Sequence, residues 1–215
     1  MTRVRFAPGW WLAWVALAAQ TVCAADLPVQ VLTLSDAPLP DAVVYAVPST
    51  PLAHGPLAPA IIDQVDKQFV PRVSVLRAGT AVRFPNSDNI RHSVYSFSPA
   101  KVFQLKLYAG RAAAPVVFDK PGVVVLGCNI HDQMVAWVLV IDTPYVARTD
   151  AFGSARLKDL AAGDYTLRVW HSPMQSEQNG EALHVDAAPL APRTVKLELA
   201  ATPGDAVPAM AGMSP

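Results

Sequence analysis

The chain has 215 residues, enough for one large domain or two small ones. Apolar residues make up 52% and charged residues 16%, which supports a packed core and excludes a disordered chain. Lys plus Arg equals Asp plus Glu at 17 each, so there is no basic field of the kind that binds nucleic acid.

The first residues read as a targeting segment rather than as fold. Arg3 and Arg5 give a short positive start, and an apolar run follows from Trp10 to Ala19. Val22, Cys23 and Ala24 are small or modest residues before an expected cut, with Ala25 or Asp26 as the new N-terminus. This is the pattern of a secretory signal peptide over residues 1–24, and it predicts a periplasmic protein exported by the Sec route. The rival reading is a membrane anchor, but the run is short of the about 20 residues that a spanning helix needs. No stable membrane insertion is therefore expected after cleavage. Cys23 raises the alternative of a lipoprotein, for which Gln20 and Val22 are poor residues; Val4 separates Arg3 from Arg5, so there is no twin-arginine signal. After cleavage Cys128 is the single cysteine left. Exported proteins usually pair their cysteines. Cys128 is then buried and inert, paired between chains, or bound to something.

Beyond residue 25 short alternating runs recur, separated by Gly, Pro, Asn and Asp. In chain order they are Val29 to Leu34, Ala42 to Val47, Val73 to Leu76, Ala81 to Phe84, Phe103 to Tyr108, Val116 to Phe118, Val123 to Leu126, Val135 to Ile141, Tyr165 to Trp170 and Thr194 to Leu199. Regular short strands with turn residues between them predict a β-sandwich or barrel. The 20 prolines suit that architecture and oppose a helical one. Residues 48–60 are rich in proline and alanine and read as a linker. The tail 201–215 has little to bury and is expected to be disordered, with Met210 and Met213 in it.

The chemistry concentrates in VVVLGCNIHDQMVAWVLV, residues 123–140. An apolar strand runs into Gly127 and Cys128, a short polar loop follows, and a second apolar strand starts at Met134. The spacing Cys-x2-His-x2-Met presents a thiolate, an imidazole and a thioether within seven residues. Two nitrogens and one sulfur with a weak axial methionine make a blue copper ligand set. One more histidine is needed. His92 is the natural candidate, because it follows the turn-rich Asn86, Ser87, Asp88 and Asn89 and opens a strand with Val94, Tyr95 and Phe97. Taken singly, Cys128 reads as a small buried hydrophobe, Met134 as core filling and His131 as a loop histidine. Together in one loop they are hard to explain that way. Zinc is the competing metal, with Asp132 as its carboxylate.

Residues 61–142 resemble a plastocyanin-like or amicyanin-like cupredoxin domain, placed at 58–142. FVPRVSVLRAGTAVRFPNSDNIRHSV resembles the family's opening, and VVFDKPGVVVLGCNIHDQM its close. More narrowly, the mature chain is similar to exported methylamine utilization proteins, in which GCNIHDQM and YTLRVWH recur. The resemblance implies one mononuclear copper on His92, Cys128, His131 and Met134, and a role in electron transfer without catalytic residues. It also implies redox partners such as a quinoprotein amine dehydrogenase and a c-type cytochrome. Two positions depart from the common pattern: Ser93 stands where many cupredoxins have asparagine, and the ligand loop has no proline.

TDAFGSARLKDLAAGDYTLRVWH resembles the transthyretin-like sandwich called the carboxypeptidase regulatory-like domain, and VQVLTLSDAPLPDAVVYAVP looks like its opening strands. The expected fold is therefore all-β. A cupredoxin Greek-key β-sandwich is inserted into a second small β-sandwich built from 27–52 and 143–200. His171 is expected to pack or hydrogen-bond at the domain junction. His54 and His184 have no ligand-spaced neighbours, and Arg72, Arg77, Lys106, Arg111 and Lys120 read as a solvated face.

The leading functional expectation is a one-electron carrier that docks through Ile130, Tyr95, Phe97 and Pro99, with His131 as the exit. The alternative is a copper-binding structural or interaction module of an extracytoplasmic assembly. An autonomous copper enzyme would need more clustered histidines, and a binuclear site a second cysteine.

Overall fold

The computed structural model describes residues 24–53, 55–111, 114–172, 180–186 and 189–199. The expectations for residues 1–23, for His54 and for the tail with Met210 and Met213 lie outside the described residues.

Alternating apolar side chains fold as strands because one face can then be buried while the other meets water. The described residues are accordingly all strand, turn and loop, without a helix. Seven strands build one pair of sheets. One sheet runs in the order β16 (Ser154–Leu160), β1 (Ala25–Thr33), β19 (Arg193–Leu197). The other runs β15 (Val146–Arg148), β2 (Val43–Pro48), β17 (Gly163–Trp170), β18 (Glu181–Val185). Leu27, Val29, Val31, Tyr45, Leu157, Leu167, Val169 and Trp170 fill the space between them.

Residues 60–141 build the other unit. Its main sheet runs β10 (Lys101–Tyr108), β9 (His92–Ser98), β13 (Gly122–Gly127), β14 (Val135–Ile141), β6 (Val73–Arg77). Opposite lie two smaller sheets. One is β12 (Val116–Phe118), β7 (Thr80–Arg83), β3 (Ala60–Ile61); the other is β11 (Gly110–Arg111), β8 (Pro85–Asn86), β4 (Asp63–Val65), β5 (Gln68–Val70). Ile62, Phe69, Val82, Phe84 and Phe118 meet Val94, Val124, Leu126, Val138 and Val140 across this core.

The two units meet across the main sheet, above all at β14. In β14, VAWVLVI, six of seven residues are buried. Ala136, Val138 and Val140 join the core of residues 60–141. Trp137, Leu139 and Ile141 point the other way and join the core made by β1, β2, β16 and β17. Val73, Val75, Val123 and Val125 extend that second contact. The main sheet is thus a middle layer with apolar packing on both faces, and each fully buried aliphatic side chain contributes roughly 1.5–3 kcal/mol.

The expected strands appear with shifted ends. The first starts at Ala25 rather than Val29, and the last ends at Leu197, leaving Leu199 outside it and exposed. Of the basic residues expected on a solvated face, Arg72, Lys106 and Lys120 are exposed, whereas Arg77 is half-buried.

Candidate metal centre

β13 and β14 pair antiparallel from Gly122↔Val140 to Gly127↔Val135, so residues 128–134 form the loop that joins them. Backbone N–H groups of Met134 and Val135 donate to the carbonyls of His131 (2.9 Å) and Gln133 (3.0 Å), which turns the chain back into β14. On its other side β13 meets β9, with Gly127 opposite Tyr95. This register sets the start of β9, and with it His92, beside Cys128.

Three of the four expected ligands close on one another. The ligand atoms of His92, Cys128 and His131 all lie within 4.8 Å, and no other such cluster occurs among the described residues. Cys128 Sγ is 3.8 Å from His92 Nδ1. The rings of His92 and His131 lie 5.0 Å apart at 59°. A trigonal ion with metal–sulfur and metal–nitrogen bonds of about 2.3 and 2.0 Å places sulfur and nitrogen about 3.7 Å apart. His131 Nδ1 is buried without a hydrogen-bond partner, an orphan that a metal bond would satisfy. His92 is fully buried and Cys128 is 3% exposed. Met134, 1% exposed, lies in the same apolar cluster as Cys128. Asp132 is exposed and outside the triad, so the carboxylate on which the zinc reading relied is not supplied. A thiolate with two imidazoles and a neighbouring thioether fits copper.

Ser93 fills the position where asparagine was the common residue. Its buried hydroxyl donates to Cys128 Sγ at 3.8 Å and accepts from the Asn129 N–H at 2.9 Å, so it ties β9 to the ligand loop. On the far side of His92, Nε2 lies within hydrogen-bond distance of Asp88 Oδ2, at 2.7 Å. The backbone N–H groups of Asp66 and Lys67 each donate to an Asp88 oxygen at 2.8 Å. The Lys67 amide is the largest influence holding the Asp88 carboxyl below its usual range; partial desolvation opposes it, and His92 and the Asp66 amide add to it. Asn86 fixes the turn beneath, donating to the carbonyls of Ile90 and Tyr108 at 2.9 Å. Tyr108 donates to the Phe84 carbonyl at 2.7 Å, and burial pushes its phenol up to about 12.

Gly127 lies close beneath the Tyr95 ring, which a side chain at this position would have to displace. A Cβ there would sit 2.6 Å from Tyr95 Cζ. Of the residues expected to form a docking patch, Phe97 is 79% and Ile130 49% exposed; Pro99 is exposed, and Tyr95 is half-buried against Phe97 with ring centroids 5.2 Å apart. A groove of about 1310 Å³ runs along the loop, lined by Lys67, Arg72, His131, Asp132, Met134 and Trp137 among others.

Asp88 was missed as a functional residue by sequence reasoning. Its spacing of four residues before His92 was a signal, but its amide donors lie 21 and 22 residues away. His171, the residue after β17, stays outside the triad. Its Nδ1 is buried and unpartnered, and burial pushes its pKa down against the opposing pull of Asp41 and the Pro40 carbonyl. His184 Nδ1 instead meets Asp164 Oδ1 at 2.6 Å on the surface.

No protein-family model matches the chain, and no curated protein matches it. Among solved structures, it is similar to a copper-containing nitrite reductase from Thermus scotoductus SA-01 at 25% identity and TM-score 0.37, over 44% of this chain and 26% of that one. The chain thus spans about a quarter of that reductase. It is also similar to a reduced amicyanin variant at 19% identity and TM-score 0.35, over 45% of this chain and 99% of the amicyanin. A purple cupredoxin from Nitrosopumilus maritimus matches at 26% identity and TM-score 0.32, over 38% of this chain and 99% of its own length.

Proposed function

We propose that the protein is an exported type 1 copper protein that carries single electrons in the periplasm. The observation that supports this most is the closed triad of His92, Cys128 and His131 beside a buried Met134. Bound copper would supply a one-electron Cu(II)/Cu(I) couple. A soft thiolate and thioether favour the reduced ion, and imidazoles serve both states. The chain's own part is to hold the donors still. Cys128 and Met134 sit in a close-packed core, and Ser93 and Asp88 fix the two sides of His92. Donors held in a packed core suit electron transfer better than bond-making chemistry, and the single cysteine of the expected mature sequence argues in the same direction.

His131, half-buried at the edge of the groove, is read as the electron exit, and the exposed Ile130 and Phe97 as apolar contacts for a transient partner. A quinoprotein amine dehydrogenase as donor and a c-type cytochrome as acceptor rest on the motif resemblance alone, as does a link to amine oxidation. Residues 27–52 and 143–200 are read as the discontinuous regulatory-like domain, with the copper domain inserted at 58–142. Its broad packing against the back of the copper sheet favours a second reading, a structural or interaction module that uses copper for stability.

The test is a visible spectrum with a redox titration. The protein should bind one copper with an intense thiolate-to-copper band and a reversible one-electron midpoint. Cys128→Ser should abolish the band. Colour that survives this substitution would end the assignment, and copper that binds but does not cycle would favour the structural reading.

A further inference from the structure

We infer that Asp88 is a positioning residue of the metal centre: clamped by the two N–H groups of the β4–β5 turn, its carboxylate fixes the proton of His92 on Nε2 and so reserves Nδ1 for the metal. This inference rests on the copper reading for its redox consequences but not for its geometry.

The clamp begins in the backbone. β4 and β5 pair with Val65 opposite Gln68, so Asp66 and Lys67 are the whole turn. Both have positive φ, 50° and 59°. A two-residue hairpin with consecutive left-handed residues is the turn type that matches strand twist, and Asp tolerates it well. Here it does a second task, because its two amides reach Asp88. Oδ1 accepts from Asp66 and Oδ2 from Lys67, both at 2.8 Å. The Asp88 N–H in turn donates to Asn86 Oδ1 at 3.0 Å. Backbone and side chain of Asp88 are therefore both held before His92 is considered. The side chain is only 12% exposed.

An ionised carboxylate can only accept hydrogen bonds, so the Nε2 facing it at 2.7 Å must donate. In neutral imidazole that leaves Nδ1 as the free lone pair. Nδ1 is the atom that faces Cys128 Sγ. Three donors converge on two oxygens, and an asparagine cannot reproduce this. Whichever way its amide is turned, an NH2 group confronts at least one of the three N–H donors. Asp88→Asn should thus loosen the clamp, and Asp88→Ala should remove it.

Two readouts test the idea. Nitrogen NMR of the His92 ring, in the copper-free and the Cu(I)-loaded protein, should show the proton on Nε2 in the wild type. It should show a mixed or Nδ1-protonated copper-free population in Asp88→Ala. Loss of such an outer partner typically weakens metal binding about 10–100-fold. Cu(II) gains more than Cu(I) from a basic imidazole, so the midpoint potential should rise, by about 59 mV for each tenfold difference between the two affinities. Asp88→Asn should fall between wild type and Asp88→Ala, and it decides the matter if the alanine variant does not fold. An unchanged tautomer with an unchanged midpoint in the folded variants would overturn the inference. If the wild type shows no copper band, the copper reading fails while the copper-free tautomer still decides the role of Asp88.

Discussion

Leu139→Ala probes whether the two sandwiches stand or fall together. Leu139 is fully buried at the centre of β14, on the face that meets the core of β1, β2 and β17. Its neighbours on that face, Trp137 and Ile141, are held by the same sheet and cannot collapse far into the space left by the lost atoms. Truncating a leucine in such a site costs about 2.7–5.0 kcal/mol. For a chain of this size each kcal/mol lowers the melting temperature by about 2–4 °C, so the expected fall is roughly 5–20 °C. The assay follows thermal unfolding by tryptophan fluorescence, which senses Trp137 and Trp170 in that core, and by the copper band, which senses the ligand loop. Both transitions should move down together, because β14 leads directly out of the loop. A loss below about 1 kcal/mol would refute the packing argument. A copper transition that stays in place while the fluorescence shifts would show that the two units unfold independently.

Gly127→Ala should cost about 1–3 kcal/mol by overpacking, because its Cβ would lie 2.6 Å from Tyr95 Cζ and 2.7 Å from the Tyr95 hydroxyl. In a Tyr95→Ala background the cost should largely vanish; equal costs by denaturant titration in the two backgrounds would refute the contact. Burial lowers the pKa of His171, so the unfolded chain binds its proton first as the pH falls, and native stability should decline from about pH 6.5 downward. His184 has the opposite sign: Asp164 raises its pKa, and the small stabilisation present below 6.5 should fade as the pH rises through the folded value. NMR titration of the two rings checks both, and a His171 value at or above 6.5 would contradict the burial argument.

The metal triad was legible because two of its members share one loop at fixed spacing and the third opens the strand after a marked turn. Local chemistry carried that information. The strand Val135–Ile141 was legible too, since an unbroken apolar run is what burial on both faces requires. What lay behind it was not, because a run of this kind does not say which layers cover it. The strands Ala60–Ile61 and Pro85–Asn86 are too short to show a period. Ser154–Leu160, SARLKDL, was hidden for a different reason: only Leu157 and Leu160 in it are fully buried. The role of Asp88 depends on backbone amides of a distant turn, and backbone donors leave no mark on residue identity.

The parallel pairing of β1 with β19 sets a timetable for synthesis. Val29 to Thr33 find their partners on that side only in Arg193 to Leu197, close to the end of the described chain. The opposite side of β1 is completed by Ser154 to Leu160. Every residue of the triad is made before β16 or β19. Apart from the local bonds of Val31 and Thr33 to residues 37–39, β1 must therefore wait for its partners while more than half the chain follows. Non-local closure of this kind is slow, and an exposed strand edge invites pairing with other chains. The ion pair of Lys196 with Asp36, at 2.6 Å, gives the late contact a charge match as well as a hydrogen-bond ladder.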